Sequence, residues 1–320
     1  MFLLQVNSLS KLNGERKAVN NISFTQKVHE HIAIAGETGS GKTSLLKMIG
    51  GLMQPDGGEV LFEEKRVEGP LERLIPGHDA IAYLSQHFEL RNNYWVYELL
   101  EMANKIPETE ATKLFSICQI EHLLHRRTNE LSGGEKQRIV LAMQLIKKPK
   151  LLLLDEPFSN LDAIHEQTIK EVIHDVTEHF NTSCIMVSHD GKDVLSWADT
   201  VIVLKDGVIV QQAAPSVIYH QPANLYCAAL FGRFNILTHQ LMELFNIPHA
   251  EQTACIRPEK IIIADSGMKA TVEKVFYFGS YEVIQVQVLQ STLQLIVLPD
   301  VYKKGDSINI QIPSQHVFYC

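Results

Sequence analysis

Gly36-Glu37-Thr38-Gly39-Ser40-Gly41-Lys42-Thr43 fits the pattern G-x-x-x-x-G-K-[ST]. Each residue type has a physical task there. Glycines let backbone N–H groups turn inward and cradle phosphate oxygens. A helix starting at the loop adds the partial positive charge of its N-terminus. Lys42 supplies a cation for the β- and γ-phosphates, the Thr43 hydroxyl is a ligand of the kind Mg²⁺ takes, and Ser44 completes the binding stretch. The second candidate is Leu151-Leu152-Leu153-Leu154-Asp155-Glu156. An apolar strand there delivers two adjacent carboxylates at its end, Asp155 for the metal shell and Glu156 to polarise an attacking water. Alone, the first pattern reads as a glycine turn and the second as a strand ending in solvated acids. Together they point to hydrolysis of a nucleoside triphosphate.

The elements needed to position these residues are legible. Residues 2–6 and 32–35 are apolar and strand-like, the glycine loop follows, and Leu45, Leu46 and Ile49 have helical spacing. Strand, glycine loop and helix is the order of a phosphate-binding βα unit. Residues 96–127 read as helical. Residues 151–154 read as a buried parallel strand, 164–180 as a helix, and 185–187 and 201–204 as two more core strands. This alternation predicts an α/β fold with a mostly parallel sheet. After about residue 231 the character changes. Runs at 260–264, 270–278, 282–289, 293–298 and 307–312 are rich in Val, Ile, Tyr and Phe, and Gly267, Gly279 and Gly305 punctuate them. They predict a small all-β domain, a barrel or sandwich. The boundary is placed near 235, giving domains 1–235 and 236–320.

Leu131-Ser132-Gly133-Gly134-Glu135-Lys136-Gln137-Arg138 resembles the LSGGQ-type signature of ATP-binding cassette (ABC) ATPases, with Glu where Gln is commonest. Other landmarks of that family follow in order. Gln86, in Tyr83-Leu84-Ser85-Gln86, resembles the glutamine that senses Mg²⁺ and the γ-phosphate. Ser159-Asn160-Leu161-Asp162 matches the D-loop, and His189, in Val187-Ser188-His189-Asp190, the switch histidine. The resemblance covers about 1–235. It implies a P-loop cassette with a parallel-sheet core, an antiparallel β subdomain and a helical subdomain. It implies ATP and Mg²⁺ as cofactors, with Thr43, Asp155 and Gln86 at the metal and Glu156, His189, Gln86 and Lys42 catalytic. It also implies a head-to-tail homodimer, in which Ser132, Gly133 and Gly134 of one copy meet the γ-phosphate held by the other. In one respect the chain departs from the family. The aromatic residue that stacks on adenine is expected at Leu12 or Asn13 and is missing, so a tyrosine at 12 is expected to tighten ATP binding.

The tail discriminates among cassettes. Cys255-Ile256-Arg257-Pro258-Glu259-Lys260-Ile261 resembles the "RPE" segment of the transport-associated OB domain (TOBE) of importer ATPases. Residues 207–212, Pro215, Tyr219, Pro222 and 231–235 resemble that subfamily's junction. The implied function is the ATPase subunit of an import complex. It would drive a separate membrane permease, fed by a solute-binding protein, for a small polar solute of the polyamine or iron(III) kind. The alternatives are an exporter ATPase and a soluble ABC machine. Phe88, Tyr94, Trp95 and Tyr97 fall where the family meets its permease, or serve as subdomain core.

Composition bounds these readings. The chain has 320 residues, 45% hydrophobic and 21% charged, enough for about two globular domains. A net charge of −8 disfavours phosphate-led nucleic-acid binding, and no such partner is expected. No run approaches the ~20 apolar residues of a membrane span. The N-terminal stretch lacks the features of a signal peptide. Five scattered cysteines without a C-x-x-C pair fit a reducing compartment. The resemblance to importer ATPases implies a peripheral place, on the cytoplasmic face of the inner membrane. His29 with His31, on an expected strand, and His122 with His125 read as surface residues rather than metal pairs.

Overall fold

The computed structural model describes residues 2–85, 90–159 and 161–320. The chain opens as an antiparallel hairpin, β1 (Phe2–Asn13) and β2 (Arg16–Lys27). β3 (His31–Ala35) runs into the glycine loop and α1 (Lys42–Ile49). β4 (Gly57–Phe62), β5 (Lys65–Arg66) and β6 (Ile81–Leu84) follow. Then come α2 (Val96–Ala103), α3 (Glu108–Ile117) and α4 (Gly133–Leu145). The rest of this part alternates: β7 (Leu151–Asp155), α5 (Ala163–Phe180), β8 (Ser183–Ser188), α6 (Gly191–Trp197), β9 (Thr200–Lys205) and β10 (Val208–Ala213).

The central sheet has the order β10-β9-β3-β8-β7-β6, parallel except for β10. β7 is buried along its whole length, which is why it reads as an unbroken apolar run. Its side chains alternate between two cores. Leu152 and Leu154 join Leu141 of α4 and Ile169 of α5, whereas Leu151 and Leu153 join Leu45 of α1 and Val6, Phe24 and Phe62 of the second sheet. That second sheet is antiparallel, β2-β1-β4-β5. The expected helical stretch 96–127 is broken into α2, α3 and one short 3₁₀ turn, Glu121–Leu123. His29 lies in the turn before β3 at φ +63°, not on the expected strand, and its Nδ1 is 2.6 Å from the Asn181 carbonyl.

Contacts divide the chain into Met1–Pro215 and Ser216–Cys320. The second unit contains α7 (Pro215–His220, all but its first residue), α8 (Leu225–Leu230), β11 (Asn235–Ile236), α9 (His239–Leu244), β12 (Ala254–Ile256), β13 (Ile262–Tyr277), β14 (Glu282–Val288), β15 (Ser291–Val297), β16 (Ser307–Gln311) and β17 (Val317–Tyr319). They form two antiparallel sheets, β11-β12-β17 and β15-β14-β13-β16, over a core that includes Val272, Ile284, Val286, Leu295 and Ile310. The two runs expected at 260–264 and 270–278 prove to belong largely to one strand, β13. Its register against β16 shifts between Ile263 and Met268, both of which face Ile310. The extra residues bulge out around Gly267, so one strand continues through what reads as a turn.

Arg257 explains why the RPE and junction segments occur together. It is 1% exposed. Its Nη1 donates to the carbonyls of Ala228 (3.0 Å), Gly232 (2.9 Å) and Arg233 (3.1 Å), and its Nη2 to that of Tyr219 (3.2 Å). The guanidinium also lies over the Tyr219 ring at 4.3 Å. One side chain thus ties residues 219–233 to β12. Arg257→Met keeps the bulk but orphans four carbonyls and is expected to destabilise this unit by about 3 kcal/mol. Denaturant unfolding with probes in each unit checks it, and an unchanged midpoint for the second unit refutes it.

Candidate active site

Three loops leave the C-terminal ends of neighbouring parallel strands, the place where open α/β sheets bind ligands. β3 feeds the glycine loop, β7 ends at Asp155 with Glu156 next, and β8 ends at Ser188 and hands on to His189. β6, beyond β7, leads to Gln86, which lies outside the described residues, as do Phe88 and Asn160.

The loop is locked against β2. At Gly41 φ is +102°, and a Cβ there would stand 2.0 Å from the Ala18 carbonyl oxygen, so only glycine fits. Lys42 follows at the head of α1 and is 5% exposed. Its Nζ donates to the carbonyls of Gly36 (2.7 Å) and Glu37 (2.9 Å), which brace the loop. Burial pulls its pKa below the ordinary lysine value, opposed by the charges of Glu156, Asp155 and Glu37. The Ser40 hydroxyl is buried with no hydrogen-bond partner among the described residues, and Ser40 is not one of the residues that line the loop's cavity. Thr38, Gly39, Gly41, Lys42, Thr43 and Ser44 line a cavity of about 370 Å³ that reaches Glu156 at one side. A chain of phosphates fits this donor set.

Asp155 is held by both oxygens. The Thr43 hydroxyl donates to Oδ1 (3.0 Å) and the Tyr83 phenol to Oδ2 (2.7 Å). Burial, and then the bond to Asp155, raise the Tyr83 pKa, so the phenol stays a donor. Tyr83 was not among the residues expected from the sequence. The sequence alone does not show it, because Tyr83 comes beside Leu153, two residues before Asp155, only once β6 pairs in parallel with β7. A hydroxyl and a carboxylate 3.0 Å apart are the hard oxygen donors that suit Mg²⁺. Among the described residues no cluster of three His, Cys, Asp or Glu could hold a metal.

Glu156 occupies the left-handed region at φ +49°, a strain of about 1–3 kcal/mol for a non-glycine residue. Its N–H donates to the Val187 carbonyl (3.0 Å), and its own carbonyl accepts from the Ser159 hydroxyl (2.9 Å). The backbone twist aims its side chain between two cavities. One is that of the phosphate loop. The other, of about 330 Å³, is lined by Ser159, Ser188, His189 and Asp190 among others. Glu156 Oε2 is 3.4 Å from His189 Nδ1. Behind His189, Asp190 caps α6, and the buried Asp193 pairs with Lys170 of α5 at 2.5 Å. Asp162 caps α5 by accepting from the N–H groups of Ile164 and His165.

Ser132, Gly133 and Gly134 stand apart. None of them lines either cavity. Ser132 caps α4, its hydroxyl accepting from Glu135 N–H (3.3 Å) while Glu135 Oε2 accepts from Ser132 N–H (2.7 Å). Glu at position 135 therefore closes a capping box. A Cβ on Gly134 would meet the His165 ring at 2.7 Å, whereas one on Gly133 would meet nothing within 4 Å. The glycine-opened helix end faces outward. Of the two positions expected to carry a stacking aromatic, Asn13 lines the phosphate-loop cavity. Leu12, 50% exposed, does not.

Comparison with known proteins matches this geometry to a family. The ABC transporter family model matches residues 19–159, and the TOBE domain model residues 254–319. The sulfate/thiosulfate import ATP-binding protein CysA of Mesostigma viride is 31% identical, over 91% of this chain and 89% of that protein. The spermidine/putrescine import ATP-binding protein PotA of Clostridium acetobutylicum is 29% identical, over 97% and 94%. Among solved structures, cbiO1 from Clostridium perfringens, part of the ABC transporter complex cbiONQ, superposes with a TM-score of 0.58 at 26% identity, over 68% of this chain and 90% of that one.

Proposed function

The chain belongs to the ABC transporter ATP-binding family, and from that premise we propose that it is the ATPase subunit of an importer for a small polar solute, a polyamine first. The observation that carries the reading is the convergence of the phosphate loop, Asp155, Glu156 and His189 at the C-terminal ends of β3, β7 and β8, in a chain that matches import ATP-binding proteins along almost its whole length. Polyamine comes first because several of the similar relatives bear that name, one of them, from Mycoplasma mycoides, 30% identical over 97% of this chain. No helix among the described residues is long and apolar enough to cross a membrane. The proposed partner is a separate permease, with this chain docked on its cytoplasmic face and a solute-binding protein supplying the cargo.

In this reading Lys42 and the loop N–H groups bind the triphosphate of ATP. Thr43 and Asp155, with Gln86, hold Mg²⁺, which when bound neutralises charge developing on the phosphates. Glu156 accepts a proton from the attacking water, and His189, in contact with it, fixes the water and γ-phosphate geometry. Ser132, Gly133 and Gly134 lie outside this chain's own cavity and present an open helix end. A second copy placed head-to-tail brings that end to the γ-phosphate, and its closure and reopening drive the permease.

Tyr83→Phe tests the metal assignment. It frees one Asp155 oxygen to turn away from Thr43, and the Mg²⁺ concentration for half-maximal ATPase is expected to rise about tenfold, the equivalent of one charge-assisted hydrogen bond. Mg²⁺-dependent binding of a fluorescent nucleotide should shift in parallel. An unshifted Mg²⁺ curve removes Tyr83 from this role. For the function itself, solute accumulation is compared in cells carrying wild type or Lys42→Ala, with polyamines, iron(III), sulfate, molybdate and maltodextrins. Selective loss of polyamine uptake supports the proposal, and loss of another solute corrects the cargo. No loss in any solute, with ATPase activity present in the purified wild type, overturns the importer reading.

A further inference from the structure

Glu156 lines the cavity of the phosphate loop beside Lys42 and Thr43, and Asn13, Arg16 and Ala18 of the β1–β2 hairpin line it too, so with the γ-phosphate at Glu156 the hairpin residues are the ones left to meet the nucleoside. Asn13 and Arg16 are register partners there, so their side chains share one face, and Ala18, where the register slips, lines the cavity with them. Among the described residues no aromatic ring lines it. Arg16 Nη1 lies 3.7 Å from where a Cβ on Gly39 would stand. Its Nη2 is 3.5 Å from Asp206 Oδ1, with both side chains well exposed, at 62% and 75%.

A base leaving this cavity needs one face covered. A guanidinium is planar, weakly hydrated and stacks on π-faces. The exposed pair with Asp206 costs little to reorient and restrains only one edge of the group, leaving its faces open. We propose that Arg16 is the nucleobase-recognition residue, its guanidinium stacking on the base in a cavity that no aromatic ring among the described residues lines, with Asp206 orienting it. Stacking reads the face of a purine and not its edge, so ATP and GTP are bound with affinities within about threefold of each other. The inference rests on the reading of this cavity as a nucleotide site.

The test is equilibrium binding of ATP, GTP and inorganic tripolyphosphate to wild type, Arg16→Ala, Arg16→Tyr and Asp206→Asn. Arg16 is at an exposed hairpin tip, and thermal melts of the variants should superimpose on wild type. Arg16→Ala is expected to weaken ATP and GTP about tenfold and leave tripolyphosphate unchanged. Arg16→Tyr is expected to restore ATP binding, and Asp206→Asn to weaken both nucleotides about twofold. Equal losses for ATP and tripolyphosphate would make Arg16 a phosphate ligand and overturn the proposal, as would no loss for any ligand or a wild type selective for ATP over GTP by a hundredfold. If wild type binds none of the three, the nucleotide site itself fails, a result distinct from failure at Arg16.

Discussion

Glu156→Gln is expected to bind ATP at least as tightly as wild type and to hydrolyse it about 10²–10⁴ times more slowly. Shape and hydrogen bonding barely change, because the backbone bonds of residue 156 to Val187 and Ser159 do not involve the carboxylate. What changes is the capacity to accept a proton. The carboxylate is 19% exposed, borders the phosphate-loop cavity and touches His189, so no other acid among the cavity's lining residues can replace it. Neutralising it also removes a negative charge from the neighbourhood of the γ-phosphate, which favours the bound state. If the proposed head-to-tail pair closes on ATP, a variant that cannot hydrolyse it is expected to stay closed and to sediment as a dimer with ATP. Steady-state ATPase assays with sedimentation in ATP decide it. Turnover within threefold of wild type would remove Glu156 from the base role.

Much of this site was legible because its residues are constrained by backbone chemistry that few types satisfy. The turn at Gly41 against Ala18 excludes every side chain. β7 must be apolar on both faces, which makes Asp155 and Glu156 conspicuous at its end. Less legible were features that depend on partners far along the chain. β2 is hard to read because Asn20 and Asn21 interrupt its alternation. Asn21 sits at φ +54° where the β1–β2 register slips, yet the alternation resumes from Ile22 to Gln26. Tyr83 was passed over because its partner, Asp155, is a neighbour only through strand pairing. Leu12 and Asn13 were indistinguishable in the sequence, since adjacent residues on a strand differ only in which face they take. The long β13 hid because Gly267 reads as a turn whether the chain reverses or bulges. The tail's Arg257 shows the opposite case. Its tie to Tyr219 and Gly232 gives a physical cause for two short motifs that had been matched only by resemblance.

Lys42→Ala is expected to fail one step earlier than Glu156→Gln, at binding. Lys42 Nζ has three protons, and two go to the carbonyls of Gly36 and Glu37, leaving the third for the ligand. Truncation removes that donor and also frees the two carbonyls that hold the loop in its curled form. It leaves Asp155, Glu156 and Glu37, the three carboxylates whose charge acts on Lys42, facing a polyanion without the cation that offsets them. ATP affinity is expected to fall about 100-fold or more, with ATPase activity and solute uptake lost together. Lys42→Arg keeps the charge, but a planar fork cannot reproduce a point donor in a pocket braced by two carbonyls, so it is expected to rescue little. Nucleotide titration of the two variants beside Glu156→Gln separates the roles. Loss of affinity at 42 and retention at 156 assigns binding to one and chemistry to the other. A Lys42→Ala protein that binds ATP within threefold of wild type would mean that the loop's N–H groups alone hold the phosphates, and that the cation acts only in the hydrolysis step.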